Sequence, residues 1–472
     1  MSVRERARRF WQGRGGGAEV LRVAYPLILA HMSFTLQTFF DRIFLTWYSA
    51  EAVAGAVTGL FTTLAVVTLF SGTGEYLTTF IAQYLGAGRP QRVGPALWQG
   101  FYFSLGAGVI IAALAPLTGT VFALAGHGAE VQRSEVTYAT ILMYGGFPVV
   151  LMATLATFFA GRGQTSVVLA VHVFSTVVDI VLNWLWIFGR GGFPRAGVAG
   201  AAWSTVVSHS LGALIFIVLI LRPAHRRAYA TLSGWRFDPG LFARLLRFGL
   251  PSGLGYSLEI LSFAIFMIII GRIGTVPLAA SGIAFNLNMI VFMPMLGLGV
   301  AVSAVVGRHL GANDPDSAER ATWSAFWMSL VYMTACGALY LLAPHALLFP
   351  YAAGADHDFG EIERIAVVLL RFVALYSLFD MMNVIFAAAL RGAGDTFYPL
   401  ALTVVLSWAA MLLPAYVACV VGGAGVYAAW TAASAYILLL GILMLRRFRQ
   451  GRWRSMRVIE PQVADLEAAA AG

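Results

Sequence analysis

The sequence is poor in charged residues and contains no lysine. Only 11% of its 472 residues are charged, whereas soluble proteins carry roughly 25%. So few charged side chains cannot cover a water-soluble surface, which excludes an ordinary soluble domain. All 31 basic residues are Arg, and the net charge is +9. These arginines lie in short connections and near the two ends, so they indicate membrane topology rather than a nucleic-acid-binding face.

Cysteine is equally scarce. Cys336 and Cys419 each lie inside an apolar segment, so neither a disulfide framework nor a thiol metal site is expected. The sequence also lacks the His, Asp and Glu spacing of metal sites, a nucleophile elbow, and a phosphate-binding glycine loop with lysine. We therefore expect no enzyme and no cofactor, and a membrane-embedded enzyme is the weaker alternative.

Long apolar segments fill most of the chain. Hydrophobic residues make up 59% of the sequence, and about 20 apolar residues in a helix cross about 30 Å of hydrocarbon. Because lipid offers no hydrogen-bond partners, each segment must satisfy its own backbone groups, which favours helices. The sequence predicts an all-α integral membrane protein with twelve transmembrane helices. They are predicted at residues 20–47, 52–84, 94–124, 135–159, 166–189, 197–221, 244–271, 275–307, 319–343, 363–389, 397–421 and 424–446.

The arginines divide unevenly between the two sides of this topology. One side holds the N-terminal segment, every connection from an even to an odd helix, and the C-terminal tail, together with most of the arginines. Arginine-rich connections stay in the cytoplasm, so both termini are predicted to be cytoplasmic, in a bacterial plasma (inner) membrane. The arginines of the opposite side are Arg133, Arg190, Arg195, Arg272 and Arg364.

A direct repeat divides the chain into two halves. Leu85-Gly86-Ala87 recurs in the second half as Leu310-Gly311-Ala312, and Pro26 recurs in the same register as Pro251. Six helices separate the copies, so both copies keep the same orientation in the membrane, which is a known plan for transporters. The acidic part of the tail after Arg457 is predicted to be disordered. The predicted domains are an N-terminal segment 1–19, an N-lobe 20–221 with helices 1–6, an interlobe linker 222–243, a C-lobe 244–446 with helices 7–12, and a tail 447–472.

Three helices carry motifs that resemble one known family. The first contains Pro26 and Asp41, the second ends in residues 82–88 (AQYLGAG), and the tenth ends in residues 389–396 (ALRGAGDT). From residue 20 to about 446, the chain resembles the multidrug and toxic compound extrusion (MATE) family, and its NorM-type branch in particular. The resemblance implies a V-shaped pair of parallel-repeat six-helix bundles. It also implies export of amphipathic, often cationic organic molecules in exchange for sodium ions or protons.

Charged side chains inside the bilayer are costly, so each is a candidate functional residue. In the second half, Glu259 lies near the middle of helix 7, and Tyr376 and Asp380 lie four residues apart on one face of helix 10. Their oxygens are suitable ligands for a small cation such as Na+, or acceptors for a proton. The trio resembles the cation pocket of the NorM-type branch. The alternative is an ion pair with Arg247 or Arg371 on the same helices.

The first half has its own polar set. Asp41 lies toward the outer half of helix 1, and Asp179 and Asn183 are four residues apart on one face of helix 5. The resemblance implies that these residues line the N-lobe cavity and bind the cation or proton. Asp179 stands where the family more often has Asn, so this chain has an additional carboxylate. The alternative for Asp41 is an interfacial pair with Arg42.

Several further residues are weaker candidates. Glu75 in helix 2 either extends the acidic lining or pairs with an Arg such as Arg42, and Gln37 and Asn286 are possible lining residues. Pro26 and Pro251 free a backbone carbonyl and allow a kink, so they are either hinges or static bends.

These features together predict a secondary active multidrug exporter. It would exchange organic, often cationic compounds for inward Na+ or H+, would function as a monomer in the lipid bilayer, and would bind no nucleic acid. The alternative within the same superfamily is a flippase for lipid-linked precursors. A flippase for anionic pyrophosphates favours a cationic cavity, whereas these helices carry acids.

Overall fold

Twelve membrane-spanning helices form the chain in a computed structural model that describes residues 11–352 and 359–460. Eleven are long and apolar enough to cross a membrane alone, and a pair bent by 50° at Gly145 completes the twelfth. The fold class predicted from the sequence is thus confirmed. The helices are α1 (Gly17–Tyr48), α2 (Ala50–Gly86), α3 (Pro90–Leu124), α4 (Ala129–Tyr144 and Gly146–Ala160), α5 (Thr165–Phe188), α6 (Gly197–Ile220), α7 (Pro239–Gly271), α8 (Thr275–Gly311), α9 (Pro315–Leu342), α10 (Gly360–Ala393), α11 (Phe397–Val421) and α12 (Val426–Arg449).

Local sequence explains where several helices begin and break. Asp238 caps α7 by accepting a hydrogen bond from the Leu241 amide at 3.0 Å, and Asp314 caps α9 in the same way. The α2 helix is interrupted at Tyr76, between Ala50–Glu75 and Leu77–Gly86. Glu75 is the last residue before this break.

The two bundles, α1–α6 and α7–α12, meet through equivalent helices, with α1 against α8 and α7 against α2. A Cβ added to Gly86 of α2 would lie 2.0 Å from the Arg308 carbonyl oxygen, and one added to Gly311 of α8 would lie 2.1 Å from the Gln83 carbonyl oxygen. The two contacts are equivalent, because the register that aligns Gly86 with Gly311 also aligns Gln83 with Arg308. The two halves of the sequence repeat therefore make equivalent contacts in the three-dimensional structure.

The bundles diverge toward one end of the molecule. Hydrogen bonds between them run from the middle of α2, where Ser257 donates to the Ala65 carbonyl at 2.5 Å, to the end of α2, where Gln83 donates to the Gly392 carbonyl at 3.0 Å. The end of the molecule at which α2 finishes is called the arginine-rich end. At the opposite end the N-lobe has its own apolar cluster, which includes Phe44 and Ile187. The cleft of the V therefore opens at the opposite end.

A C-terminal strap, residues 451–460, crosses the arginine-rich end. Glu460 accepts from Arg89 at 2.6 Å and Arg92 at 2.9 Å, and pairs with Arg244 of α7 at 2.8 Å. Val458 is buried, and its amide donates to the Gln83 side chain at 2.9 Å. The predicted disorder after Arg457 is thus wrong for residues 458–460, because these contacts with folded helices hold them in place. The rest of the tail and residues 1–10 lie outside the described residues.

The predicted interlobe linker lies against the N-lobe. It contains a short helix, Pro223–Tyr229, whose Arg227 and Ala228 carbonyls accept from the Gln91 side chain. The Thr231 carbonyl accepts from the Trp98 indole at 2.9 Å. The linker is therefore fixed to the start of α3.

Candidate functional site

Helices α1 and α5 bring three predicted residues together inside the N-lobe. Asn183 donates to an Asp179 carboxylate oxygen at 2.9 Å, and its amide nitrogen also donates to Asp41. The i, i+4 spacing places Asp179 and Asn183 on one face of α5. All three side chains are buried, with Asp41 7% exposed and the other two 0%. Asp41 is thus bound to Asn183 rather than held in the interfacial pair with Arg42.

Neighbouring helices complete this N-lobe cluster. Ser208 of α6 donates to Asp179 at 3.3 Å, and Gln37, one turn before Asp41, lies within hydrogen-bonding reach of Asp179. Tyr138 of α4 lies close enough to Asp41 and Asp179 to interact electrostatically with both carboxylates. The sequence analysis missed Ser208 and Tyr138, because neither carries a charge and neither shares a helix with the acids.

The geometry of the N-lobe cluster is chemically suited to a positive charge. Two carboxylates this close repel each other when both are ionised, and one proton or one small cation relieves that repulsion. The carbonyl oxygen of Asn183 is buried and has no hydrogen-bond partner among the described residues. Buried polar atoms are rarely left unpaired, so this oxygen is a free acceptor beside two acids. The donor set fits either a bound proton or Na+.

The C-lobe residues also converge, but in a more open setting. Glu259 of α7 and Asp380 of α10 lie close enough to influence each other electrostatically, and both are half-buried. Tyr376, one turn before Asp380, is 2% exposed, and its hydroxyl has no hydrogen-bond partner in the described part of the chain. Tyr436 of α12 lies near both carboxylates and likewise has an unpaired hydroxyl. The sequence analysis missed Tyr436, since a lone tyrosine in an apolar helix gives no signal.

The ion pairs proposed as alternatives for Glu259 are not found in the described residues. The Arg247 guanidinium lies 5.6 Å from the ring centre of Phe248, and the Arg371 side chain is exposed. The basic group that influences Glu259 is Arg391, near the end of α10. Glu259 therefore has no salt bridge among the described residues and lies near Asp380 and Tyr436 of its own lobe.

Glu75 lies at the break of α2, at the level where the two lobes are in contact. Its side chain is exposed, and Tyr256 of α7 lies near Glu75, Glu259 and Arg391. The Arg391 guanidinium is 5.0 Å from the Tyr256 ring centre. One acid from each lobe, Glu75 and Glu259, thus lies near the Tyr256–Arg391 pair. No ion pair between Glu75 and Arg42 occurs among the described residues.

The remaining candidates lie apart from these clusters. Asn286 of α8 accepts from the Tyr351 hydroxyl at 3.1 Å. Pro26 lies inside α1 and Pro251 inside α7, and both helices continue past the proline without a break. A hinge at either position stays a prediction. The described residues contain no group of three or more His, Cys, Asp or Glu side chains that could hold a metal ion.

Comparison with known proteins identifies the family. The model of the MatE family matches residues 26–185 and 251–417 of this chain. The chain belongs to the MatE family. The two matched segments begin at Pro26 and Pro251, which are equivalent positions of the repeat, so the segments coincide with its two halves.

Relatives of this MATE chain are found among bacterial proteins and solved structures. A Thermotoga maritima protein named as a probable multidrug resistance protein NorM is 27% identical over 452 residues, covering 93% of this chain and 94% of the relative. A Mesorhizobium japonicum protein of the same name is 29% identical over 400 residues, covering 82% and 84%. The structure of an outward-facing multidrug resistance MATE transporter superposes with a TM-score of 0.84 at 21% identity, covering 95% of this chain and 99% of that one. The structural likeness confirms the fold.

Proposed function

We propose that this MATE protein is a secondary active multidrug exporter that exchanges organic, often cationic compounds for inward Na+ or H+. The observation that carries the proposal is the acidic cluster in each lobe. Each cluster contains a buried oxygen with no hydrogen-bond partner among the described residues, at Asn183 in one and at Tyr376 in the other. Family membership supports export, and the relatives are named as multidrug resistance proteins. The coupling ion is the part of the proposal that needs an experiment.

We also propose that the arginine-rich end faces the cytoplasm of a bacterial inner membrane. The arginine-rich connections between helices all lie at that end, which is the arrangement of the positive-inside rule. In this orientation both termini are cytoplasmic, and the cleft of the V opens to the outside. The described state would then be the one that releases substrate and takes up the coupling ion.

The cleft supplies the means of exchange. Glu75, Glu259 and Asp380 supply negative charge that would attract a cationic substrate in the alternate state, the one open to the cytoplasm. Binding of Na+ or H+ removes that negative charge, so the ion and the substrate favour different occupancies of the same cleft. If each also favours a different packing of the two lobes, entry of one drives exit of the other.

A lipid-linked precursor flippase is the alternative from the same superfamily. A Pyrococcus furiosus member of that superfamily, described as having a binding pocket of reversed polarity that suggests a different function, superposes with a TM-score of 0.83 at 21% identity. Among the described residues, the acids Glu75, Glu259 and Asp380 outnumber the arginine near them, Arg391. An anionic pyrophosphate would meet repulsion there, so the lining favours cationic cargo.

The test is efflux of a fluorescent cationic dye from proteoliposomes under a sodium gradient or a proton gradient alone. The variants are Glu259→Gln, Asp380→Asn and Asp41→Asn, and the matched control is Glu51→Gln. Glu51 is an exposed acid in the first turn of α2, outside both clusters. The control loses the same charge, so its efflux should equal that of the wild type.

The two gradients separate the two lobes. Sodium-driven efflux that is lost in the Glu259 and Asp380 variants would place coupling in the C-lobe. Proton-driven efflux that is lost in the Asp41 variant alone would place coupling in the N-lobe. Absence of gradient-dependent efflux from every preparation, together with movement of lipid between leaflets, would refute the exporter and favour the flippase.

A further inference from the structure

A second cavity, remote from both acidic clusters, lies at the arginine-rich end. Its volume is about 560 Å³, and it is bounded by the segment before α1, the first turns of α1, the α4–α5 connection and the end of α8. Pockets that bind small molecules have volumes of about 300–1,000 Å³. Four arginines line this cavity, namely Arg14, Arg22, Arg162 and Arg308.

The charge of this arginine cavity is only partly balanced from within, because its lining has four arginines, and Glu19 lies near one of them, Arg308. Its single acid, Glu19, accepts from the Gly15 amide at 2.7 Å and lies 3.3 Å from His309. Within the described ranges, the side chains of Arg14, Arg22 and Arg308 make no ion pair or hydrogen bond. Like charges collected in one concave site repel one another, and a bound anion relieves that repulsion.

The fourth arginine is held in place by aromatic side chains. The Arg162 guanidinium lies 4.5 Å from the ring centre of Phe158 and 4.4 Å from that of Tyr229. It also lies 3.3 Å from the His225 ring nitrogen. Stacking orders the planar guanidinium while leaving in-plane N–H donors for a ligand, an arrangement suited to phosphate.

The remaining wall of the cavity is apolar. Val23, Ala304 and Val305 line it beside the arginines, and Trp11 lies at its edge. Arg22 is in the second turn of α1, so the cavity reaches from the helix ends into the span. A ligand that combines an anionic head with an apolar portion matches both parts of this wall. Basic pockets between helices at the cytoplasmic level have this form where they bind lipid headgroups.

We propose that the arginine cavity binds a phosphate group, carried either by an anionic phospholipid of the adjacent leaflet or by a free phosphate compound. Arg308 belongs to α8 of the C-lobe, whereas Arg22 and Arg162 belong to the N-lobe. A phosphate bound between them joins the two lobes at the end where they already touch. It therefore favours the state in which the arginine-rich end is closed, to the extent that it binds that state better.

The experiment measures binding of a fluorescent short-chain phosphatidylglycerol to the full-length protein in detergent. A phosphatidylcholine of the same chain length is the neutral comparison, and inorganic phosphate and pyrophosphate are the soluble competitors. Because two charged hydrogen-bond donors to the phosphate are removed, Arg22→Gln/Arg308→Gln should weaken phosphatidylglycerol binding by at least about tenfold. The control is Arg222→Gln/Arg446→Gln, two exposed arginines at the same end but outside the cavity.

The results show whether the arginine cavity binds phosphate, and whether that phosphate belongs to a lipid or to a soluble compound. Tight phosphatidylglycerol binding that inorganic phosphate and pyrophosphate do not displace identifies a lipid as the ligand. The leaflet that supplies this lipid is then assigned from the proposed orientation, and so rests on the proposed function. Displacement by the soluble competitors identifies a free phosphate compound. Equal affinity for both lipids with no binding of soluble phosphate would overturn the proposal, as would equal losses in the cavity variant and the control. The wild-type comparison of the two lipids decides the matter even where the double variant does not fold.

Discussion

The paired glycines between the lobes predict a variant that opens the arginine-rich end. An alanine at Gly311 would place its Cβ 2.1 Å from the Gln83 carbonyl oxygen, which belongs to the backbone of α2. Carbon–oxygen contacts are about 3.3 Å or longer, so α8 and α2 must separate by roughly 1 Å. Overpacking of this kind costs about 1–3 kcal/mol. Because the cost falls on the closed arrangement alone, Gly311→Ala should raise the ratio of open to closed protein about 5–150-fold.

The assay is a distance measurement by electron spin resonance across the arginine-rich end. Spin labels would be attached at Ala224 after α6 and Gln450 after α12, both exposed, in protein in which Cys336 and Cys419 have been replaced. We expect Gly311→Ala to shift the distance distribution toward longer values. Gly86→Ala should shift it equally, since its Cβ would lie 2.0 Å from the Arg308 carbonyl oxygen in the equivalent contact.

Gly282→Ala provides the control for this prediction. A Cβ at Gly282 would have no atom within 4 Å, although this residue also lies in α8. It therefore reports the effect of replacing glycine in a helix, about 1 kcal/mol, without overpacking. A wild-type distance distribution in folded Gly311→Ala and Gly86→Ala would refute the claim that these contacts hold the end closed.

Three further predictions follow from single residues. Asn183→Leu should abolish coupling in the N-lobe, because it removes the amide that bridges two carboxylates; gradient-driven dye efflux tests this, and unchanged efflux would contradict it. Tyr376→Phe should leave thermal stability unchanged or raise it, since the lost hydroxyl has no partner among the described residues; a fall in Tm would contradict this, and weaker sodium dependence would assign the hydroxyl to the ion. Burial alone would raise the pKa of Glu460, but its hydrogen bonds, with Tyr84 among the partners, and the nearby arginines outweigh burial and lower the pKa below its ordinary 4.5. The strap should therefore stabilise the protein above pH 4.5, and this stabilisation should be lost as the pH falls toward the lowered pKa of Glu460. At neutral pH, Glu460→Gln should lower the free energy of unfolding by roughly 1–3 kcal/mol. Equal melting temperatures of the variant and the wild type at neutral pH would contradict this prediction.

Hydropathy and arginine placement predicted the helices well because lipid imposes strong constraints on both. A transmembrane helix must be apolar over its whole length, and the connections on one side of the membrane must carry the positive charge. The positions of α5 and α6 can therefore be predicted from hydropathy almost without error. The bend within α4 at Gly145 and the break of α2 at Tyr76 were not predicted. Those changes of direction depend on packing between helices, which hydropathy does not report.

The same contrast holds for the candidate sites. Acids in apolar helices stand out in a sequence, and Asp41 and Asp179 were singled out for that reason. Their bridging by Asn183 is visible only when α1 and α5 are placed side by side. Tyr436 could not be found from the sequence, because its proximity to Glu259 depends on the packing of α12. Charge singled out the candidate residues, and helix packing determines which of them lie together.

The repeat governs the scaffold of the two lobes but not their chemistry. Glycines 86 and 311 occupy equivalent places and make equivalent contacts. The acids break this symmetry, since the register that aligns those glycines places Phe266 opposite Asp41 and Phe34 opposite Glu259. The N-lobe cluster is built on α1 and α5, whereas the C-lobe cluster is built on α7 and α10, which are not equivalent pairs. The scaffold of the two lobes can therefore close symmetrically, although their acidic clusters lie on helices that the repeat does not make equivalent.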